Sequence, residues 1–319
     1  MPFRLYRAVL AALLLGLATL PLPARADTPL TVVTSFSILA DIARAIGGER
    51  VTVESLIEAG QDAHGFEPRP SDIRRLSEAD LVIVNGLGFE GWLERLPTSA
   101  PVIVASRHAA ILEAGEDDHG AHEPDHGPDA HEPHDHDPHD HGPMDPHAWQ
   151  SPLNGLHYAE TIAEALSAAD PQGSAVYETN LEAYRQEILA IDGEWRSFTA
   201  SLDRAGRTVV TAHAAFNYLA HAYDLHFLTL AGIETEGSIS AHDLAHVIEE
   251  IQEEGVRAVF FENISDERLL QQITSETDAV IGGTLYSDAL SGPDGPAPTY
   301  LALLRHNLSV MRQALAPMR

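Results

Sequence analysis

Eight apolar residues, Tyr177, Leu181, Tyr184, Ile188, Ile191, Trp195, Phe198 and Leu202, recur at intervals of 4, 3, 4, 3, 4, 3 and 4. An α-helix places such a series on one continuous face. Asp170-Pro171 reads as its start, with Asp as cap and Pro in the first turn. The spacing predicts one helix over 170–203, about 33 residues and roughly 50 Å long. A coiled-coil segment would show the same seam. A single copy, flanked on both sides by a different pattern, is better suited to packing along two bodies at once.

The flanking pattern alternates strands and helices. Before the seam, strands are expected over 30–36, 51–57, 81–85 and 102–105. Helices are expected over 38–46, from a Ser71-Asp72 cap to Glu78, over 92–96 and over 153–168. After the seam, strands are expected over 208–211, 225–230, 258–262 and 279–286. The helices there are 215–222, a Ser240/Asp243-capped one to Glu254, 267–276 and 300–315. Runs apolar on both faces, separated by helices, indicate parallel sheets. The expected fold class is α/β: two parallel-sheet lobes, 27–168 and 206–319, joined by one long helix.

Residues 1–26 read as an export signal. Arg4 and Arg7 precede an apolar run, and Ala24-Arg25-Ala26 is a small-x-small cleavage site. Cleavage is expected after Ala26, with the mature chain in the periplasm. The formal net charge of −29 disfavours nucleic acid and anionic membrane as partners and favours cations. The cysteine count is 0, which removes disulfides, thiolate metal sites and thiol catalysis together. A metal site must therefore be built from His, Asp and Glu.

The chain has an obvious store of such residues. Over 116–142 the sequence is dense in Asp, Glu, Pro, Gly and eight histidines: His119, His122, His126, His131, His134, His136, His139 and His141. No apolar periodicity accompanies them, so the stretch is expected to form a disordered metal-collecting loop. An acidic linker with incidental histidines has the same composition. A sharper arrangement comes from position. In open α/β sheets, ligands gather beyond the carboxyl ends of strands. His64 follows the second strand, His213 closes the fifth and Asp288 follows the last. His147 stands where the His-rich stretch meets a helix. Three imidazoles and one carboxylate form a closed four-coordinate set suited to Zn²⁺. Glu67 is placed either to orient a ligand imidazole or to steady the turn before Pro68. Glu262 ends a strand on the same face and could line the cleft, but Asp288 is the preferred carboxylate ligand.

These junctions carry four motifs: Asp62-Ala63-His64-x-Phe66-Glu67-Pro68, Asp145-Pro146-His147-Ala148-Trp149, Thr211-Ala212-His213-x-x-Phe216-x-Tyr218 and Tyr286-Ser287-Asp288-Ala289-Leu290. Together, and in this order, they resemble the ligand motifs of the zinc/manganese solute-binding proteins of bacterial ABC importers. The resemblance implies two lobes rigidly linked by a long helix and metal held between them by His64, His147, His213 and Asp288. It also implies a monomer that delivers Zn²⁺ as transported ligand to a transmembrane permease. A periplasmic zinc metallochaperone is a further expected partner. In that family a histidine at the third position marks zinc-type members and a carboxylate marks manganese-type ones, so His213 points to zinc. The absence of cysteine departs from the disulfide-bearing zinc subtype and is closer to the AztC-like branch.

Two other function classes remain in view. His242-Asp243-Leu244-Ala245-His246 has the spacing of a zinc-hydrolase helix, but its acid is Asp, and four filled ligand positions leave no site for a reactive water. A stand-alone periplasmic zinc buffer would need only the His-rich stretch. A manganese or iron importer component is the nearest alternative to zinc. His108, His157, His221, His226 and His306 lack partners at ligand spacing and read as structural or solvent-facing.

Overall fold

Parallel pairing organises both halves of the molecule. The computed structural model describes residues 28–93, 96–113, 144–232, 241–264 and 268–316. The export signal and the His-rich stretch lie outside those residues. In the first lobe, β1 (Leu30–Phe36), β2 (Val51–Ile57), β3 (Leu81–Val84) and β4 (Val102–Val104) form a sheet in the order β2-β1-β3-β4. Every pairing in it is parallel. In the second lobe, β5 (Thr208–Thr211), β6 (His226–Thr229), β7 (Ala258–Glu262) and β8 (Val280–Leu285) repeat that plan as β6-β5-β7-β8. These pairings are parallel too. In each sheet the chain leaves the central strand to one side and returns on the other, which opens a crevice at the strand ends.

The helices are α1 (Ser37–Gly47), α2 (Pro70–Glu78), α3 (Pro152–Ala169), α4 (Ser174–Thr199), α5 (Asn217–Tyr223), α6 (Ala241–Glu254), α7 (Arg268–Glu276) and α8 (Tyr300–Leu315). The seam helix is α4, with 26 residues, roughly 39 Å. It is shorter than the expected 170–203 and ends before the seam does, at Thr199. A 3₁₀ turn, Pro171–Gly173, precedes it, and the chain turns after Thr199 so that Leu202 is buried from outside the helix. Asp170 does not cap it through its side chain. Its carboxylate instead accepts from Arg50 Nε at 2.6 Å and Tyr177 Oη at 2.7 Å. The Arg50 bond, foremost, lowers the Asp170 pKa to about 2.

Tyr177, Tyr184, Ile188, Ile191, Trp195 and Phe198 of α4 are buried against α1 and α3 on one side and α8 and α5 on the other. One apolar core therefore runs through α4 from lobe to lobe. A smaller core, around Val210, Val259, Ile251 and Ile273, belongs to the second lobe alone. The first lobe also clasps α8 directly. A Cβ at Gly155 would lie 2.2 Å from Tyr300 Oη, and that hydroxyl donates to the Trp149 carbonyl.

One local expectation changes, and two others fall partly on residues outside those described. Ser71 and Asp72 lie inside α2 rather than capping it. Pro70 opens the helix, and Asp72 Oδ2 accepts the Arg69 N–H at 2.8 Å. Of the helix expected over 92–96, residues 94 and 95 lie outside the described residues; Trp92 stands in a turn and packs on Phe66. Ser240 lies outside the described residues, and α6 begins at Ala241. At the base of the His-rich stretch, Glu113 and Met144 form an antiparallel bridge.

Candidate metal centre

The four expected residues come together between the lobes. His64, His147, His213 and Asp288 each offer a ligand atom, and these atoms all lie within 4.8 Å of one another. Among the described residues this is the only such grouping of His and acidic side chains. Asp288 is the hub. Its Oδ2 is 3.1 Å from His64 Nε2 and 3.1 Å from His213 Nε2, and its Oδ1 is 3.6 Å from His147 Nε2. The ring centroids of the three imidazoles are 5.5 to 5.8 Å apart. Side-chain exposure is 3% for His64 and 1% or less for the other three.

Each side chain is delivered by a fixed piece of backbone. His64 follows β2 in a turn where its N–H donates to Asp62 Oδ1 at 2.9 Å. That loop is tied across the lobes by Gly60 N–H to the Leu290 carbonyl at 2.9 Å. His147 leads into a 3₁₀ turn, Ala148–Gln150. His213 stands two residues beyond β5 and Asp288 three beyond β8, so both sit at carboxyl ends of the second sheet. The Asp288 loop is held from the first lobe, because Trp149 Nε1 and Gln150 Nε2 both donate to the Ser287 carbonyl, at 3.0 and 2.6 Å.

Two carboxylates stand behind the imidazoles, and neither is Glu67. Asp145 Oδ1 lies 2.8 Å from His147 Nδ1 and accepts the His147 N–H at 2.9 Å. Its Oδ2 accepts from Asn217 Nδ2 of the other lobe at 3.0 Å. Glu262 Oε1 accepts the N–H groups of Ala212 and His213 at 2.8 and 3.0 Å. Its Oε2 lies 2.7 Å from His213 Nδ1, an ion-pair distance outside hydrogen-bond alignment. These contacts leave Nε2 of His147 and His213 facing Asp288. Glu67 is exposed and takes no part, since the residues around it face outward while Phe66 turns inward onto Trp92. Asp145 was visible only as the first residue of Asp145-Pro146-His147, and Glu262 only as a strand-ending acid on the cleft face.

The electrostatics follow from burial among opposite charges. For Asp288, burial by itself favours the neutral acid, but His213 and His147 outweigh it and hold the carboxyl well below its usual range. For His213, burial opposes the charged ring, yet Glu262 and then Asp288 raise its pKa well above the usual value. A cluster of three imidazole nitrogens and one ionised carboxylate, shut away from solvent, can take a divalent cation in a tetrahedral N₃O shell.

The remaining histidines stand apart from this cluster. His242 and His246 on α6 are exposed. His157 pairs with Glu160 at 2.9 Å, and His306 Nε2 bonds the Thr284 carbonyl at 3.0 Å. The eight histidines from His119 to His141 lie outside the described residues.

Comparison with known proteins gives a consistent neighbourhood. The family described as "Zinc-uptake complex component A periplasmic" matches residues 32–314. The iron-binding protein YfeA of Yersinia pestis is 35% identical over 273 residues, covering 86% of this chain and 82% of its own length. The manganese-binding lipoprotein MntA of Halalkalibacterium halodurans is 29% identical over 291 residues, covering 90% of this chain and 89% of its own. A solved Mn-bound periplasmic metal binding protein from Candidatus Liberibacter asiaticus is 31% identical, with a TM-score of 0.73 over 90% of this chain and 99% of that one. The periplasmic zinc binding protein TroA of Treponema pallidum shares the fold, with a TM-score of 0.78 at 24% identity, covering 91% of this chain and all of its own.

Proposed function

This chain belongs to the periplasmic zinc-uptake component A family, and from that premise we propose that it captures Zn²⁺ in the periplasm and delivers it to the permease of an ABC importer. The family consists of substrate-binding transport components and not enzymes. The observation that carries the proposal is the convergence of His64, His147, His213 and Asp288, two residues from each lobe, on one buried point.

Zinc is favoured by the donor set. Imidazole nitrogen suits Zn²⁺, whereas oxygen-rich shells suit Mn²⁺. The imidazoles of His147 and His213, held from behind by Asp145 and Glu262, take the place of hydration waters together with His64 and the Asp288 carboxylate, His213 giving up its proton as the ion enters. The bound unit of cation and four ligands carries a charge of about +1. The acidic chain supplies an attractive field for cations. The His-rich stretch serves as an accessory collector of weaker affinity.

A manganese or iron cargo is the second reading, favoured by the names borne by YfeA and MntA. Competition titration separates the two. The zinc reading expects one tight Zn²⁺ per chain, displaced by Mn²⁺ only at large excess, and retained after deletion of residues 116–142. Replacing His64 or His213 by Ala should abolish tight binding. Tighter Mn²⁺ than Zn²⁺ binding would sink the choice of metal. Loss of all tight binding on deleting 116–142 would sink the interlobe site.

A further inference from the structure

The turn that follows β3 has an unusual backbone. Gly86, Leu87 and Gly88 all take positive φ, at 84°, 59° and 82°. Leu87 is strained there, because a side chain disfavours that region. A Cβ on Gly86 would lie 2.4 Å from Val104 Cγ1, so the position has room for glycine alone. Buried Glu90 locks the turn. Its Oε1 accepts the Asn85 N–H at 2.6 Å and its Oε2 the Gly86 N–H at 2.9 Å. Asn85 Nδ2 in turn donates to the Pro146 carbonyl at 2.9 Å, next to His147.

The strained turn presents one side chain to the cluster, Phe89. Its ring stands edge-on to His64 at 5.5 Å between centroids and 6.5 Å from His147. Trp149, 5.0 Å from Phe89 and itself 5.3 Å from His147, and Phe36, 5.1 Å from Phe89, complete an aromatic wall. On the remaining sides the imidazoles meet Asp145, Glu262 and the Asp288 loop. The wall is thus the apolar side of a centre whose other neighbours are polar. Strain held at a functional centre needs a return, and here it is the placement of this ring.

We propose that Phe89 is a specificity-determining residue: its ring occupies the space beside His64 and His147 that an added water ligand would need, which holds the cation at four ligands. Zinc accepts a closed tetrahedral shell, whereas Mn²⁺ is suited by more oxygen donors, water among them. The apolar surroundings of a metal centre control such solvent access. This inference rests on the zinc reading above for the identity of the favoured ion.

The test is a graded series, Phe89→Leu, Phe89→Val and Phe89→Ala, in the full chain. Co²⁺ serves as a spectroscopic stand-in, since its visible band is intense in four-coordinate sites and weak in five- or six-coordinate ones. The expected result is a stepwise loss of that band with shrinking side chain. The ratio of Zn²⁺ to Mn²⁺ affinity should fall about tenfold or more at Ala. Wild-type intensity and an unchanged ratio across the series would overturn the role of Phe89. If the Ala variant does not fold, the trend through Leu and Val decides. The wild-type ratio tests the zinc reading separately. Only the change along the series bears on Phe89.

Discussion

Glu262, at the end of β7, holds His213 from behind, with its carboxylate 2.7 Å from Nδ1 and on the residue's own backbone N–H at 3.0 Å. The pair spans two neighbouring strands of the second sheet. Through it, the sheet itself dictates which nitrogen of His213 faces the cluster.

Glu262→Gln should therefore weaken zinc binding while leaving the fold intact. An outer carboxylate of this kind is worth about 10–100-fold in metal affinity. Asp145→Asn should act similarly through His147, with an added loss because its Oδ2 also receives Asn217 across the lobes. Competition with a chromophoric chelator reads both. Unchanged affinity in either variant would remove that carboxylate from the site's machinery.

His213→Glu is the obvious change toward a more oxygen-rich shell, and this chain should resist it. A new carboxylate would stand beside buried Glu262 as well as Asp288, and like charges without a cation repel. The single variant should lose stability when metal-free. The double variant His213→Glu, Glu262→Gln should recover it and bind Mn²⁺ better, relative to Zn²⁺, than the parent. Thermal melts with and without metal, followed by titration, check this. A single variant as stable as the parent would contradict it.

Metal-free stability should depend on pH with a definite sign. The His213 pKa is raised on folding, against the cost of burial, by Glu262 and Asp288. Its contribution is fully present below about pH 6.5, the unfolded value, and is lost as pH rises through the raised folded value. Asp288 is held low against its own burial cost by His213 and His147. Its contribution is present above about pH 3.9 and is lost only as pH falls through the lowered value. Metal needs the imidazole without its proton. Apparent zinc affinity should climb by about tenfold per pH unit for each proton displaced, and level off above the His213 pKa. Denaturant melts and zinc titrations from pH 4 to pH 9 give both curves. A flat affinity profile through neutral pH would contradict the His213 assignment.

Ile188, fully buried at the middle of α4, touches the core shared by the lobes. Ile188→Ala should cost about 2–5 kcal/mol, as large-to-small changes in closed cores do. Because that core is continuous, the loss should appear in a single transition involving both lobes. Two separate melting steps would show that α4 does not couple them.

Much of this architecture was legible in the sequence, for identifiable reasons. The seam of α4 is a periodic signal, and the apolar runs of central strands such as β3 and β5 are continuous ones, both enforced by burial. His64, His213 and Asp288 were readable because they follow strands, where ligands in such sheets collect. What failed to show was anything set by register between distant segments. Glu67 sits three residues from His64 and invited a local partnership. Glu262 is 49 residues from His213 and meets it only because β7 lies beside β5. The seam also outran its helix. Leu202 keeps the spacing because it is buried, and burial continues for a few residues after the hydrogen-bonded spiral ends at Thr199. Phe89 carried no signal at all, since an aromatic after two glycines reads as part of any turn.

The matched strand orders, β2-β1-β3-β4 and β6-β5-β7-β8, set two crevices mouth to mouth. Neither contains enough donors to retain a cation by itself: one brings His64 and His147, the other His213 and Asp288. In the proposed capture reading, the cargo is then a cross-link between half-sites. Work that parts the halves by a fraction of a bond length is the same work that lets the ion go. A docking partner that levers them apart needs no chemistry of its own to unload it.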